Sequence, residues 1–172
     1  QEHSSAASDV YKRQHLDHAG GAFNLSREHD VKIEGPHPDD EFLIMGLEDQ
    51  GKMYGVPGTK NFLPDRWLED GDKIELDGIS FDVYHCPGHT PGHVVFHQAD
   101  AKIAIVGDVL FQGSIGRTDL PRGNTQSLID SIRNKLWKLD DDTTFVPGHG
   151  PLSTFGQEKK TNPYVADQLF KE

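Results

Sequence analysis

Histidine and aspartate residues recur in four separated segments of the chain, each in a pattern that could bind a metal ion. Imidazole and carboxylate groups together suit zinc, iron or manganese, whereas a structural zinc finger would need several cysteine thiolates. A single pattern of this kind is usually only a turn, but four of them in one chain predict a metal site. The four patterns are His15-x-Asp17-His18, His89-x-x-x-His93, Gly107-Asp108 and Gly148-His149-Gly150.

The elements predicted around these patterns explain how distant residues could meet. Apolar or alternating residues predict strands at 31–34, 94–96, 103–106 and 144–146, and a hairpin that joins 73–76 to 79–84. Helical spacing predicts helices at 37–47 and 124–139, with Thr125 as a cap. Residues 15–21 are predicted to form a loop that leads into a helix ending near Glu28, and residues 50–64 a surface loop. Three of the patterns follow predicted strands, in loops turned by Gly and Pro. Strands that alternate with helices predict a layered α/β sandwich.

Composition limits the partners and the compartment. The formal net charge of −11 disfavours a nucleic acid as partner, and no apolar run approaches the length of a membrane span. The single cysteine, Cys86, excludes an internal disulfide and fits a reducing cytoplasm. Although Cys86 lies close to His89 in sequence, we expect a buried packing thiol rather than a nucleophile.

The first residues of the chain look like foreign sequence. Residues 4–14 match, codon for codon, a translation of the adapter used in transposase-based DNA sequencing. We therefore expect residues 1–14 to be foreign sequence, and residues 15–172 to be a partial domain that lacks its opening strands.

The four patterns resemble the metal-dependent hydrolases of the metallo-β-lactamase fold. The family signature is Thr-His-x-His-x-Asp-His, then His-Thr-x-Gly-His, then Gly-Asp and a final Gly-His. Segments 64–72, 85–96 and 147–154 look like the compact, single-domain bacterial branch of the hydroxyacylglutathione hydrolases, or glyoxalase II enzymes. The resemblance implies an αββα sandwich and two divalent metal ions, with zinc expected and iron or manganese as alternatives.

The resemblance also implies a role for each residue. One metal would be held by the first motif's two histidines together with His89, and the other by three further ligands, with an aspartate bridging both. Arg13 stands where the family has its leading histidine, so one ligand is missing in this sequence. The implied metal ligands are His15 and His89 for the first metal, Asp17, His18 and His149 for the second, and Asp108 as the bridge.

The chemistry implied by this resemblance is hydrolysis by a metal-bound hydroxide, which Asp17 would orient. Arg117 falls where the family places a basic residue for glutathione, so it is either a substrate carboxylate anchor or a surface cation on a turn. His93 is either a partner that fixes a ligand or a core histidine with its own hydrogen bond. These alternatives stay open at the level of the sequence.

The resulting hypothesis is a thioesterase that converts a hydroxyacylglutathione, a small-molecule thioester, to a hydroxy acid and glutathione. A mononuclear-iron persulfide dioxygenase, which shares the fold and a similar 116–119 segment, is the alternative from another enzyme class. An inactive fragment is a third hypothesis for the chain as written. Hydrolysis of β-lactams is disfavoured, because zinc-dependent β-lactamases typically have a cysteine ligand where this chain has Asp108.

Overall fold

A computed structural model of the protein describes residues 16–170. The chain divides into two compact units, Gln1–Trp67 and Leu68–Glu172. The segment 1–14, predicted to be foreign, and the predicted ligand His15 lie outside the described residues.

The first unit is helical in its described part, and its helices enclose a small apolar cluster. The buried members of this cluster are Leu16, Ile44, Leu47 and Phe62. Burying apolar side chains is the main favourable contribution to folding, and it explains why short helices with little intrinsic stability persist here. The helices are α1 (Leu16–Ala19), α2 (Ala22–His29), α3 (Glu41–Ile44) and α4 (Leu47–Tyr54), with a 3-10 turn at Pro38–Asp40.

Several sequence predictions for this unit need correction. The predicted loop at 15–21 is wrong in part, because Leu16–Ala19 forms α1, whereas the helix predicted to end near Glu28 is confirmed as α2. The predicted strand 31–34 is wrong, because the segment makes only an isolated bridge between Glu34 and Arg66. The predicted loop 50–64 is wrong at its start, since α4 continues to Tyr54. Tertiary packing overrides local pattern in these short segments.

The second unit is built on a six-stranded sheet with the strand order β1-β2-β3-β4-β7-β8. Neighbouring strands are antiparallel except β4 and β7, which run parallel. The predicted hairpin and the strands at 94–96, 103–106 and 144–146 are confirmed. The sheet strands are β1 (Lys73–Leu76), β2 (Ile79–His85), β3 (Val94–Gln98), β4 (Ile103–Gly107), β7 (Thr144–Pro147) and β8 (Ser153–Thr154), and a separate hairpin consists of β5 (Leu110–Phe111) and β6 (Ser114–Ile115).

Two helices cover one face of this sheet, α5 (Thr125–Asn134) and α6 (Phe155–Thr161). The predicted helix 124–139 ends earlier as an α-helix, and a 3-10 turn follows at Leu136–Lys138. The cap of α5 is Asn124, whose side chain accepts a hydrogen bond from the Ser127 backbone N–H, so the prediction of Thr125 as the cap is wrong. An asparagine at this position satisfies one of the otherwise unpaired N–H groups of the first turn.

The core of the second unit lies between the sheet and these helices. Its strand residues alternate with residues on the opposite face, where Ile103 and Ile105 are exposed. Strands and helices layered in this way confirm the predicted α/β class. No helix among residues 16–170 is long and apolar enough to cross a membrane. The core residues contributed by the two layers are Val95, Ala104, Val106 and Phe145 from the sheet, and Leu128, Ile132 and Phe155 from the helices.

A buried carboxylate connects α6 to the β5–β6 hairpin. Glu158 accepts hydrogen bonds from the Gly113 backbone N–H at 2.8 Å, from Asn162 Nδ2 at 2.9 Å and from the Ser153 hydroxyl at 2.6 Å. All three partners are donors, which is the pattern that an ionised carboxylate satisfies. Glu158 therefore fixes the hairpin that follows Asp108 and the segment that follows His149.

We expect Glu158→Ala to lower the free energy of unfolding by about 2–4 kcal/mol, because it leaves buried donors without an acceptor. Glu158→Gln is the matched control. Its amide oxygen can replace the acceptor for Gly113 and Asn162, while its amide N–H can donate to the Ser153 hydroxyl. Urea denaturation measures both changes, and equal losses in the two variants would contradict the network.

Candidate metal centre

The carboxyl ends of the parallel strands β4 and β7 bring two of the four patterns together. Asp108 follows β4 and His149 lies just beyond β7, and the Gly148 backbone N–H donates to the Gly107 carbonyl at 2.9 Å. Because β3 runs antiparallel to β4, the loop before β3, which carries His89, lies at the same end of the sheet. Loops at the carboxyl ends of parallel strands are a common place for binding sites.

Helix α5 holds the loop that carries His89. The Ser131 hydroxyl donates to the Pro87 carbonyl at 2.8 Å, and the Asn124 backbone N–H donates to the Gly88 carbonyl at 2.8 Å. Lys135, the C-terminal cap residue of α5, donates through its ammonium group to the His85 carbonyl at 2.6 Å. Three polar groups of one helix therefore fix the path of the chain immediately before His89.

His89 is buried, with 2% of its surface exposed. Its Nδ1 lies 2.8 Å from the Arg117 carbonyl oxygen. A carbonyl only accepts hydrogen bonds, so Nδ1 carries the proton and Nε2 of the neutral ring has a lone pair. Histidines that bind metals usually donate their other ring N–H to a carbonyl or carboxylate in this way.

The side chains of Asp108, His89 and His149 converge. His89 Nε2 lies 3.7 Å from Asp108 Oδ2, and His149 Nε2 lies 4.0 Å from Asp108 Oδ1. These distances are longer than a hydrogen bond. They match the separation of two ligand atoms that each bind the same cation at about 2.0–2.2 Å. Asp108 is buried, with 5% of its surface exposed, whereas His149 is exposed. Two imidazoles around a buried carboxylate fit the divalent metals that the sequence predicts.

His93 fixes the backbone of Asp108. The Asp108 backbone N–H donates to His93 Nε2 at 3.1 Å, so the proton of the neutral ring is on Nδ1, which lies 3.1 Å from the Val94 carbonyl oxygen. The first of the two roles considered for His93, a partner that fixes a ligand, is the one that this geometry supports. Its hydrogen bond orients the residue that lies between the other two candidate ligands.

The remaining predicted ligands belong to the first unit. Asp17 and His18 are exposed neighbours on α1, with His18 Nε2 3.8 Å from Asp17 Oδ2. The structure therefore brings together His89, Asp108 and His149 in the second unit, and Asp17 with His18 in the first.

Two further predictions concern Cys86 and Arg117. Cys86 is buried in the apolar core, and burial raises the pKa of its thiol to about 12. A thiol with this pKa is not ionised near neutral pH, which agrees with a packing role. Arg117 donates through Nε and Nη2 to both carboxylate oxygens of Asp119, at 2.6 and 2.7 Å. The guanidinium is thus turned towards its own loop.

Sequence reasoning missed the groups that support the ligands. Ser131 and Lys135 lie in no motif, and Asp119 ends the 116–119 segment but was given no role of its own. The fold or a turn brings each of these residues to the segment that it supports. The nearest signal was the polar Ser131 on the predicted apolar stripe of α5. A buried hydroxyl in such a position usually has a hydrogen-bond partner.

Comparison with known proteins shows the family of this chain. Residues 14–149 match the sequence model of the metallo-beta-lactamase superfamily. The hydroxyacylglutathione hydrolase GloC of Haemophilus influenzae is 49% identical over 152 residues, which cover 88% of this chain and 72% of that protein.

Solved structures have the same fold. The BLEG-1 B3 metallo-beta-lactamase has a TM-score of 0.78 at 33% identity, over 90% of this chain and 74% of that chain. TTHA1623, solved in a di-iron-bound form, has a TM-score of 0.77 at 39% identity, over 88% and 74% of the two chains. ETHE1 from Myxococcus xanthus is more distant, with a TM-score of 0.59 at 25% identity, over 84% and 68%.

Proposed function

The chain belongs to the metallo-beta-lactamase superfamily, and from that premise we propose that it hydrolyses thioesters of glutathione to a hydroxy acid and free glutathione. The observation that carries the proposal is the convergence of two histidines on one buried aspartate, in a chain 49% identical to a hydroxyacylglutathione hydrolase. Membership of this hydrolase family and the fold are established by the comparisons. The thioester substrate is the part that we propose.

The proposed ligand set joins the three convergent residues to the first motif. We assign His15 and His89 to one metal, Asp17, His18 and His149 to the other, and Asp108 to both. The assignments of His15, Asp17 and His18 come from the family motif. Bound divalent metals would lower the pKa of a coordinated water towards neutrality and polarise the thioester carbonyl. Zinc, iron and manganese all suit these donors, and the related TTHA1623 was solved in a di-iron-bound form.

The protein's own groups supply orientation. His93 and the Arg117 carbonyl hold Asp108 and His89 before any substrate arrives, and such preorganisation is an important source of rate enhancement. We propose that Asp17 orients the attacking water. Arg117 is proposed to bind a substrate carboxylate, which would have to share or replace the hydrogen bonds to Asp119.

The proposed setting of this activity follows from composition. The net charge of −11 favours a small-molecule substrate over a nucleic acid, and the single buried thiol suits the cytoplasm. A mononuclear-iron persulfide dioxygenase is the second candidate, and the 116–119 segment, which resembles that of those enzymes, favours it.

The deciding experiment is thiol release from lactoylglutathione by the chain loaded separately with zinc, iron or manganese. We expect metal-dependent release that is lost in Asp17→Asn. Because Arg13 occupies the family's leading histidine position, Arg13→His should raise both the metal content and the rate. One iron per chain, with oxygen uptake on glutathione persulfide, would instead establish the dioxygenase. Cleavage of a β-lactam without thioester cleavage would also refute the proposal.

A further inference from the structure

The orientation of His89 depends on a short segment that follows the β5–β6 hairpin. His89 Nδ1 donates to the backbone carbonyl of Arg117, so the position of that carbonyl sets the direction of the ring. We propose that Asp119 is a positioning residue, which acts through Arg117 to hold His89 in its metal-binding orientation. The proposal rests on the proposed metal site and does not depend on the substrate being a thioester.

The segment lies directly against two candidate ligands. The Gly116 backbone N–H donates to the Val109 carbonyl at 3.1 Å. A Cβ atom at Gly116 would lie 1.9 Å from the Asp108 carbonyl oxygen and 3.2 Å from His89 Cβ, so only glycine fits here. With no free space between the segment and these residues, a displacement of its backbone would reach both of them.

The Arg117–Asp119 pair closes this segment into a fixed turn. The guanidinium donates through two nitrogens to the two carboxylate oxygens of a residue only two positions away, which is a geometrically specific arrangement. The hydrogen bond from Arg117 also lowers the pKa of the Asp119 carboxyl. Thr118, the residue between Arg117 and Asp119, has its hydroxyl 2.6 Å from the Thr125 hydroxyl at the start of α5. The backbone around the Arg117 carbonyl is therefore held before it by the Gly116 hydrogen bond and after it by the contacts of Thr118 and Asp119.

Asp119 could instead compete with a substrate carboxylate for Arg117, and the two roles make different predictions. A positioning residue affects metal binding in the absence of substrate. A competitor leaves metal binding unchanged, and its removal lowers KM for substrates that carry a carboxylate. Metal affinity without substrate therefore separates them.

The test is cobalt(II) binding to the full chain, followed by visible absorption and by competition with a chelator. We expect Asp119→Asn to weaken cobalt affinity by about 10-fold, the lower end of the effect of losing a direct partner of a ligand, because the Arg117 carbonyl stays but is held less firmly. The visible absorption bands should change as well. Arg117→Lys keeps the positive charge but loses the planar fork, so it should have a similar effect, and the double variant should be no worse than either single one.

Asp142→Asn is the matched control. It removes another exposed aspartate ion pair, with Lys102, at the opposite end of β4 from Asp108, and should leave cobalt binding unchanged. Near-ultraviolet circular dichroism checks that each variant is folded. Unchanged cobalt affinity in a folded Asp119→Asn variant would overturn the positioning role alone, whatever happens to KM. Failure of the unmodified chain to bind cobalt would overturn the metal site as well.

Discussion

Asp108→Asn should remove thioester hydrolysis and most of the bound metal while leaving the protein folded. The carboxylate is buried, and its two oxygens face His89 and His149 at 3.7 and 4.0 Å. The asparagine loses the negative charge and replaces one acceptor oxygen with a donor group. Asp108 is proposed to bind both metals. We therefore expect the rate to fall by more than the factor of about 10–100 that is typical when a hydrogen-bond partner of a ligand is lost.

Three measurements check this expectation: thiol release, metal content per chain and thermal unfolding with and without a chelator. Added metal should raise the unfolding temperature of the unmodified protein, because a ligand that binds only the folded state stabilises it. The asparagine variant should lose that response but keep the stability of the metal-free protein, since a buried charge is costly without a cation. Asp82→Asn, at an exposed ion pair with Lys73, is the control. A variant at Asp108 that keeps its metal would refute the ligand role.

Gly88→Ala should have the largest combined effect on folding and on the site. Gly88 has a φ of +140°, and an added Cβ would lie 2.4 Å from the backbone nitrogen of Leu128 in α5. A helix backbone cannot move aside as a flexible side chain can, so the clash must displace the loop. The backbone strain and the clash together should cost about 2–5 kcal/mol. Since His89 is the next residue, metal affinity should fall as well.

Gly78→Ala is the matched control for this prediction. Gly78 also has a positive φ, of +80°, but no atom lies within 4 Å of its added Cβ. It should therefore show only the conformational cost of about 1–2 kcal/mol and leave metal content unchanged. Chemical denaturation and metal analysis of both variants give the comparison. Equal effects in the two would mean that the contact between the His89 loop and α5 is not tight.

The sequence was most informative where local pattern and burial coincide. The β1–β2 hairpin and strands β3, β4 and β7 could be predicted because each has an apolar or alternating stretch bounded by Gly, Pro or Asp. The patterns around His89, Asp108 and His149 could be recognised because the spacing of ligands within one loop is a local property.

The sequence was least informative in the first unit and at short elements. The 31–34 segment has a strand pattern, but in the described structure it has only the bridge to Arg66 and forms no strand. Strands β5, β6 and β8 span two residues each, too few for a period to be detected. Helix α6 was not predicted, because it spans only seven residues and its packing depends on the contact of Phe155 with the distant Phe145.

The sequence by itself determined which residues could bind a metal. It also determined that three of them, His89, Asp108 and His149, lie in loops that follow strands. Only the tertiary structure decided how those residues are oriented. The parallel pairing of β4 with β7 places Asp108 near His149, and a carbonyl 28 positions away fixes the proton on His89. The sequence around one residue cannot predict these contacts, because they depend on the pairing of distant strands and on the packing of α5 against the sheet.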